Sequence, residues 1–184
     1  YRAFPSLSYC FYLQIRELYE ISVSAWVRPL SSMSGDFDIV SKEGAFGLGV
    51  VKGKLRSKFW FVDANAFDID EANEKNSYLP VFLPWTAEPW SSASVSIPVG
   101  VWTHVAATYD KNEGVERHYV QGQLVASRTV PGFPGLASLA NSNARVIIGT
   151  NLTLGNIDEV MIFDHAITGN QLKTAEQLIQ ITID

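Results

Sequence analysis

Several features that define other protein classes are scarce or missing in this sequence of 184 residues. Its single cysteine, Cys10, has no internal partner for a disulfide, and we expect a buried thiol that packs as a small hydrophobic group. The apolar runs are far shorter than the ~20 residues that a membrane-spanning helix needs. The net charge is −5, and Lys and Arg are scattered singly rather than gathered in the basic stripe of a nucleic-acid-binding protein. We therefore expect no membrane span and no nucleic-acid partner.

Common catalytic and metal-binding patterns are missing as well. The sequence has no G-x-S-x-G elbow, no phosphate-binding glycine loop, and no cysteine or second histidine at zinc-ligand spacing. His104 alternates along one predicted strand with Trp102 and Ala106. A lone histidine in that setting is more often packed or hydrogen-bonded than catalytic.

Apolar and aromatic residues are plentiful, and most of the chain alternates them with polar residues. Hydrophobic residues make up 47% of the chain and aromatic residues 12%, which is enough for a buried core in one domain of residues 1–184. Alternation with a period of two is typical of β-strands. The predicted strands are ISVSAWVRP, two within AFGLGVVKGKLRSKFWFV around a turn at Lys52–Gly53–Lys54, WTHVAATYD, a hairpin in VERHYVQGQLVASRTV about Gln121–Gly122, ARVIIGT and EVMIFD.

Only the C-terminal stretch TGNQLKTAEQLI has helical periodicity. It places Leu172, Ala175, Leu178 and Ile179 on one side, with Thr168 or Asn170 as the N-cap. A parallel sheet needs helices between its strands, and none is available here. The sequence therefore predicts an all-β fold, an antiparallel β-sandwich of two sheets with a short C-terminal helix.

Residues 63–96 break the alternation and form a long predicted insertion loop. The acids of DIDEANE come first, and three prolines interleaved with aromatic side chains follow. Because loops this long inside a compact domain are more often functional than idle, we expect a functional role for this insertion.

Five stretches resemble a known family. ISVSAWVRP, IVSKEGAFGLGVVKGKLR, IPVGVWTHVAATYDKNEGVERHYVQGQLVAS, VIIGT and NIDEVMIFDHAIT are similar in order and spacing to the laminin-G-like jelly rolls of the concanavalin A-like lectin and glucanase superfamily, over residues 21–169. The resemblance implies a two-sheet jelly roll, with Trp26 and Trp102 in family core positions, which we assign to packing. It also implies an extracellular or cell-surface location, since many members are modules of secreted proteins that bind carbohydrate or protein partners.

Two segments depart from the family pattern. The usual opening strand with its Asp is not found in residues 1–20, and the insertion at residues 63–96 is longer than the family leads one to expect. The aromatic run from Tyr1 to Tyr19 has two interpretations: a segment for self-association through residues 1–19, or an atypical edge strand of the same sandwich.

The resemblance also implies a structural calcium ion. Its matching ligands are the Gly44 carbonyl and the Asp158 carboxylate, while the N-terminal ligand has no counterpart here. The alternative is that Asp158 only accepts hydrogen bonds from backbone amides at the mouth of a strand. Calcium, as a structural ion, is the one cofactor that we expect.

The acidic residues do not form a catalytic pair. Retaining glucanases of this superfamily place two carboxylates about 5 Å apart on one strand face, which requires spacing i, i+2. Asp158 and Glu159 are neighbours, and strict alternation sends them to opposite faces, with Asp158 on the side of Val160 and Ile162. Asp68 and Asp70 have the right spacing but lie in a loop, as a solvated acidic segment or a second calcium site.

Aromatic side chains of the insertion are the predicted ligand-binding residues. Sugar rings stack on Trp and Tyr, and neighbouring polar groups bind the hydroxyls. We predict that Tyr78, Trp85 and Trp90, with Asp68 and Asp70, bind the ligand. The alternative for the aromatic residues is that they plug one end of the sandwich.

The sequence thus predicts a non-catalytic binding module of an extracellular protein, with a glycan, or else an extracellular protein, as its partner. One alternative is a structural, adhesive or self-assembling subunit of a surface protein. A glycoside hydrolase or polysaccharide lyase has less support, because no qualifying carboxylate pair is found.

Overall fold

The computed structural model describes residues 9–11, 20–30, 36–63, 90–130, 137–139, 142–150 and 155–172. Within these ranges the chain forms thirteen strands. They are β1 (Tyr9–Phe11), β2 (Glu20–Pro29), β3 (Asp36–Lys42), β4 (Phe46–Val51), β5 (Lys54–Phe59), β6 (Phe61–Asp63), β7 (Trp90–Ser96), β8 (Thr103–Asp110), β9 (Val115–Val120), β10 (Gln123–Thr129), β11 (Ala137–Leu139), β12 (Val146–Ile148) and β13 (Gly155–Phe163).

The strands form two main antiparallel sheets. A six-stranded sheet has the order β1-β12-β3-β4-β5-β7, and a five-stranded sheet has the order β10-β9-β8-β2-β13. A small third sheet pairs β11 with β6. This architecture confirms the predicted all-β jelly-roll sandwich.

The alternating sequence of β2 divides the five-stranded sheet into two faces. Ile21, Val23, Ala25 and Val27 are buried in the core between the sheets. The partners of these residues in β8, including Val105, Ala107 and Tyr109, lie in the same core. The residues of β2 between them face away from the six-stranded sheet, because successive side chains of a strand point to opposite faces. We call this the outer face.

Two tight turns confirm the predicted hairpins. At Lys52–Gly53 the φ angles are 49° and 77°, and at Gln121–Gly122 they are 51° and 66°. Two successive residues with positive φ match the right-handed twist of the strands that they connect, and glycine adopts this conformation without strain.

Two segments that the sequence set apart contribute strands. Tyr9–Phe11 forms β1, the edge strand of the six-stranded sheet, which supports the edge-strand interpretation for this part of the N-terminal segment. Trp90–Ser96 forms β7, which pairs with β5. The last seven residues of the predicted insertion loop are therefore a strand rather than a loop. Residues 64–89 lie outside the described ranges.

The helix begins where the sequence predicts it, at residues 169–172, the last described residues. The side chain of Gln171 accepts hydrogen bonds from the Thr168 backbone N–H (2.8 Å) and hydroxyl (2.9 Å). A glutamine that reaches back from the third helical position to the N-cap is half of a capping box. Thr168, rather than Asn170, is therefore the N-cap. No helix in the described ranges is long and apolar enough to cross a membrane.

Gly49 lies at a close approach between β3 and β4. A Cβ atom at Gly49 would stand 2.8 Å from the Phe37 carbonyl oxygen, whereas at Gly47 its nearest neighbours would be 3.8 Å away. We expect Gly49→Ala to lower the free energy of unfolding by about 1–3 kcal/mol, because the backbone must move to admit the methyl group. Gly47→Ala is the matched control and should change it by less than about 0.5 kcal/mol. Urea unfolding of both variants measures the difference, and equal stabilities would contradict the assignment.

Candidate functional site

Neighbouring strands of the five-stranded sheet bring aromatic and polar side chains together on the outer face. In register, Asp158 of β13 lies opposite Trp26 of β2, which lies opposite His104 of β8. In the next row Asn156 lies opposite Arg28, and Arg28 contacts Trp102. We call Trp26, Arg28, Trp102, Asn156 and Asp158 the outer-face patch.

Trp26 and Trp102 are not core residues, contrary to the prediction. Both lie on the outer face, Trp26 half-buried and Trp102 with 37% of its surface exposed. The reason is the register: side chains of β2 that alternate with the buried Ala25 and Val27 must point away from the other sheet. Two indole rings therefore lie near solvent on this face, one on β2 and one directly before β8.

Arg28 holds the second row of the patch in place. Its guanidinium carbon lies 5.4 Å from the centre of the Trp102 ring, which is a cation–π distance. The same guanidinium donates to the Asn156 side-chain oxygen from Nη2 (3.2 Å) and from Nε (3.4 Å). Arg28 thus fixes one indole face and one amide, which pre-organises the patch for a ligand.

His104 lies beneath the patch and is packed, as the sequence predicts. It is 1% exposed, and its ring centroid is 5.6 Å from that of Trp26. Burial lowers the pKa of His104 to about 4, because the charged imidazolium would lose its hydration. The imidazole is therefore neutral at pH 7, and it supports Trp26 by packing.

A β-bulge in β13 changes the predicted side of Asp158. Asp158 pairs with Trp26, but the next registered pair is Met161 with Ser24, so β13 has one extra residue at this point. Glu159 adopts a φ of 48° within the bulge. Asp158 consequently lies on the outer face, while Val160 packs against the core with Ile162. The prediction that Asp158 shares their side is wrong, because it assumed unbroken alternation.

The C-terminal segment covers the neighbouring part of the outer face. The Ser22 hydroxyl donates to the His165 carbonyl oxygen (2.7 Å) and accepts from the Ile167 N–H (2.8 Å). Ile167 and Leu172 then pack with Tyr119 in a second apolar cluster. The outer-face patch lies beyond this covered region, which leaves Trp102 and Asp158 exposed.

A second polar cluster lies between the two sheets and was not identified in the sequence. Ser57 of β5 donates to Glu116 of β9 and lies 2.6 Å from His118 Nε2. Arg128 of β10 forms an ion pair with Glu116, with Nη2 to Oε2 at 2.7 Å. Burial raises the pKa of Glu116, against the opposing effects of Arg128 and Ser57. Burial also lowers the pKa of His118 to about 3, and the charge of Arg128 adds to this effect.

This inter-sheet cluster contains a serine, a histidine and an acid, but its geometry is structural. In nucleophilic catalysis the acid orients the histidine, whereas here Glu116 contacts the serine. Ser57, Glu116 and His118 are all 0% exposed, so the hydroxyl is closed to a substrate. The cluster gives Ser57, Glu116 and His118 Nε2 hydrogen-bond partners and joins the two sheets.

The predicted calcium ligands lie in different sheets. Gly44, with a φ of 73°, is in the turn that joins β3 and β4 in the six-stranded sheet, and Asp158 faces away from that sheet. Asp158 Oδ1 accepts the Glu159 N–H at 2.9 Å, which is the backbone contact of the alternative interpretation. A calcium ion needs six to eight convergent oxygens. In the described ranges, no group of three or more acidic, histidine or cysteine side chains could hold a metal, so these residues alone do not fit the ion, and calcium stays a prediction.

Four of the predicted ligand-binding residues lie outside the described ranges: Tyr78, Trp85, Asp68 and Asp70. Trp90 is the first residue of β7, and its backbone pairs with that of Ser57. Trp90 thus belongs to the six-stranded sheet, whereas the outer-face patch lies on the five-stranded sheet, and the role of all five positions stays a prediction.

Sequence reasoning missed both clusters for identifiable reasons. The signal for the inter-sheet cluster is the i, i+2 spacing of Glu116 and His118 in VERHYV, which places both on the face of Val120, a core-packed residue. The signal for the outer-face patch is the tryptophan at an alternate position of ISVSAWVRP. Each signal requires the face of each strand to be assigned before the residue types are interpreted.

Glu116 and Glu113 offer a matched test of the inter-sheet cluster. We expect Glu116→Ala to cost about 3 kcal/mol of stability, because it removes the partner of Arg128 and an acceptor for the buried Ser57. Glu113 pairs with Arg117 at the exposed surface, so Glu113→Ala should cost less than about 1 kcal/mol. Denaturant unfolding at neutral pH measures both, and similar losses would show that the inter-sheet cluster has no special role.

Several solved structures share this fold at low sequence identity. A protein of Bacteroides ovatus ATCC 8483 that is assigned a carbohydrate-binding role matches with a TM-score of 0.57 and 17% identity, over 91% of this chain and 44% of that one. The binding domain of paraclostridial mosquitocidal protein 1 matches with a TM-score of 0.58 and 12% identity, over 89% of this chain and 39% of that one. The binding domain of botulinum neurotoxin DC, in complex with SialylT, matches with a TM-score of 0.50 and 13% identity, over 86% of this chain and 35% of that one. This chain therefore spans less than half the length of each, and at these identities the likeness establishes the fold alone.

The sequence itself matches a family model. No curated protein matches the chain significantly. The family model Laminin_G_3, described as concanavalin A-like lectin/glucanases superfamily, matches residues 13–173. Since this match covers most of the chain and both sheets of the sandwich, the chain belongs to the Laminin_G_3 family of the concanavalin A-like lectin/glucanase superfamily.

Proposed function

We propose that this chain is a non-catalytic carbohydrate-binding module of an extracellular protein, and that the outer-face patch binds the glycan. The observation that carries the proposal is the exposed indole ring of Trp102, held by Arg28 among polar groups. A fixed aromatic ring beside hydrogen-bonding groups is the combination by which proteins bind sugar rings.

The patch offers each kind of contact that a sugar needs. Trp102 and the half-buried Trp26 provide apolar surface for the C–H face of the ring. Arg28 and Asn156 hold each other in place, and Asp158 is an exposed acceptor for hydroxyl groups. Because four of these groups lie on the paired strands β2 and β13 and Trp102 directly precedes β8, little ordering is needed when the ligand binds.

The acids of the patch favour binding over catalysis. Glycoside hydrolysis needs two carboxyl groups across one glycosidic bond. Asp158 is an exposed acid at the bulge, and Glu159 follows it directly in the chain, where burial and the charge of Asp158 raise the pKa of Glu159. Two acids in consecutive positions do not flank a bond in the manner of a hydrolase. This arrangement supports a module that binds without cleaving.

The relatives support the same proposal. The description of the superfamily names lectins together with glucanases, and one solved structure of the same fold has an assigned carbohydrate-binding role. We propose the insertion aromatics Tyr78, Trp85 and Trp90, with Asp68 and Asp70, as a second contact region for the glycan.

Trp102→Ala tests the outer-face patch directly. On a glycan array, we expect at least about 10-fold weaker binding of the best ligand, equivalent to about 1.4 kcal/mol, because the stacking surface is lost. Leu124→Ala is the matched control, since Leu124 is also exposed, at 54%, but lies on β10 at the far edge of the sheet. Trp85→Ala in parallel reports on the insertion. Unchanged glycan binding by Trp102→Ala would reject the outer-face patch as the site. If the wild type binds no glycan on the array, the glycan proposal itself is rejected.

We also propose that calcium, when present, is held through Asp158. The expected result is a higher melting temperature in calcium than in EDTA for the wild-type chain, and no such difference for Asp158→Asn, which keeps the shape but loses the charge. Differential scanning calorimetry measures both. Identical melting curves in calcium and EDTA would dismiss the ion.

A further inference from the structure

Exposed apolar side chains are concentrated at one end of the sandwich. Of the five large apolar residues that are exposed in the described part of the chain, four lie where β2 ends and β8 begins. They are Leu30 (51%), Val99 (49%), Val101 (51%) and Trp102 (37%). Single exposed apolar residues are normal on protein surfaces, but a contiguous group of them marks an interaction site.

Backbone contacts hold these residues together. The Gly100 N–H donates to the Pro29 carbonyl oxygen at 2.6 Å, which places Val99 and Val101 beside Leu30. Gly100 has a φ of 76°, and a Cβ atom there would meet nothing within 4 Å. The loop is thus held by the end of β2, and the space beside Gly100 is open among the described residues. We call Leu30, Val99 and Val101 the apolar tip.

Cationic side chains flank the apolar tip on two sides. The Ile97 N–H donates to the Gly53 carbonyl oxygen at 2.8 Å, and Lys54 pairs with Ser96, so the turn that carries Lys52 lies next to the loop. Arg28 lies on the other side, against Trp102. In a chain with a net charge of −5, this local grouping of Lys52, Lys54 and Arg28 around exposed aliphatic residues is distinctive.

We propose that the apolar tip inserts into the surface of a membrane that contains anionic lipids. Aliphatic side chains at a projecting loop enter the acyl boundary, while flanking Lys and Arg residues contact lipid phosphates. Trp102 lies at the base of the apolar tip, and tryptophan favours the interface between headgroups and hydrocarbon. A protein partner fits the described part of this end less well, because a stable interface buries about 800 Å² on each partner, far more than these three aliphatic side chains provide.

Membrane docking and glycan binding can be tested separately, although Arg28 and Trp102 adjoin both surfaces. Val99 and Val101 are not part of the outer-face patch, which begins one row further along the sheet. A variant of the apolar tip should therefore lose membrane binding and keep the glycan. A chain docked in this way would hold the outer-face patch next to the membrane surface.

Sedimentation with lipid vesicles tests the proposal on the full chain. With vesicles of phosphatidylcholine and about one-quarter phosphatidylserine, we expect wild-type protein to co-sediment, and high salt to weaken this binding. Val99→Ser/Val101→Ser should reduce binding at least about 10-fold, and Lys52→Glu by a smaller factor. Leu124→Ser and Lys111→Glu are the matched controls, because they change an exposed aliphatic residue and a lysine of the β8–β9 turn, away from the apolar tip.

Each other outcome has a definite meaning. No sedimentation of the wild type, or equal losses in the control variants, would overturn the proposal. Sedimentation equilibrium without lipid identifies a second copy as the occupant instead, if the wild type is a dimer and the Val99→Ser/Val101→Ser variant is a monomer. Circular dichroism of this variant must match the wild type. The glycan array on it keeps the two functions apart, since retained glycan binding with lost vesicle binding is the expected pattern.

Discussion

The pairing of β2 with β8 is the constraint on which the rest of the molecule depends. Eight consecutive residue pairs, from Glu20–Asp110 to Val27–Thr103, keep one register without a bulge. A shift by one residue would exchange the buried and exposed faces of the strand. Because the register is unbroken, Ala25 and Val27 fill the core while Trp26 and Arg28 meet His104 and Trp102 on the outer face. Core and candidate site are thus two consequences of a single alignment.

The inter-sheet cluster adds a second kind of constraint, across the layers rather than within one. Apolar contacts between the sheets tolerate small displacements, whereas hydrogen bonds are directional. The contact of Ser57 with Glu116 and His118, completed by Arg128, is satisfied only when β5 lies over β9. An ion pair with one buried partner contributes little net stability, but it penalises the sheet alignments that would leave Glu116 buried without Arg128. In this molecule we interpret the cluster as a device that selects one packing of the two layers.

Much of the fold could be predicted from the sequence, and less of the site. Alternation found β2 and the hairpins, because these depend on neighbours in the chain, and the helix start was narrowed to Thr168 or Asn170. The side of Asp158 was predicted wrongly, since the bulge at Glu159 depends on the partner strand and leaves no mark in NIDEVMIFDHAIT. Trp102 was assigned to packing because a hydrophobic residue in a family core position is normally buried. Its exposure goes with its position on the outer face directly before β8, where it contacts Arg28, and this position is visible only in three dimensions.

The bulges have a further consequence for how the chain behaves in concentrated solution. Both edge strands of the five-stranded sheet are irregular, β10 between Leu124 and Ala126 and β13 between Asp158 and Met161. A regular exposed edge is a template for another strand, and open-ended addition of strands leads to fibres. A bulge interrupts the regular row of edge N–H and C=O groups with which an added strand would pair. We therefore expect the same irregularity that moves Asp158 onto the outer face to disfavour amyloid-like growth through this edge.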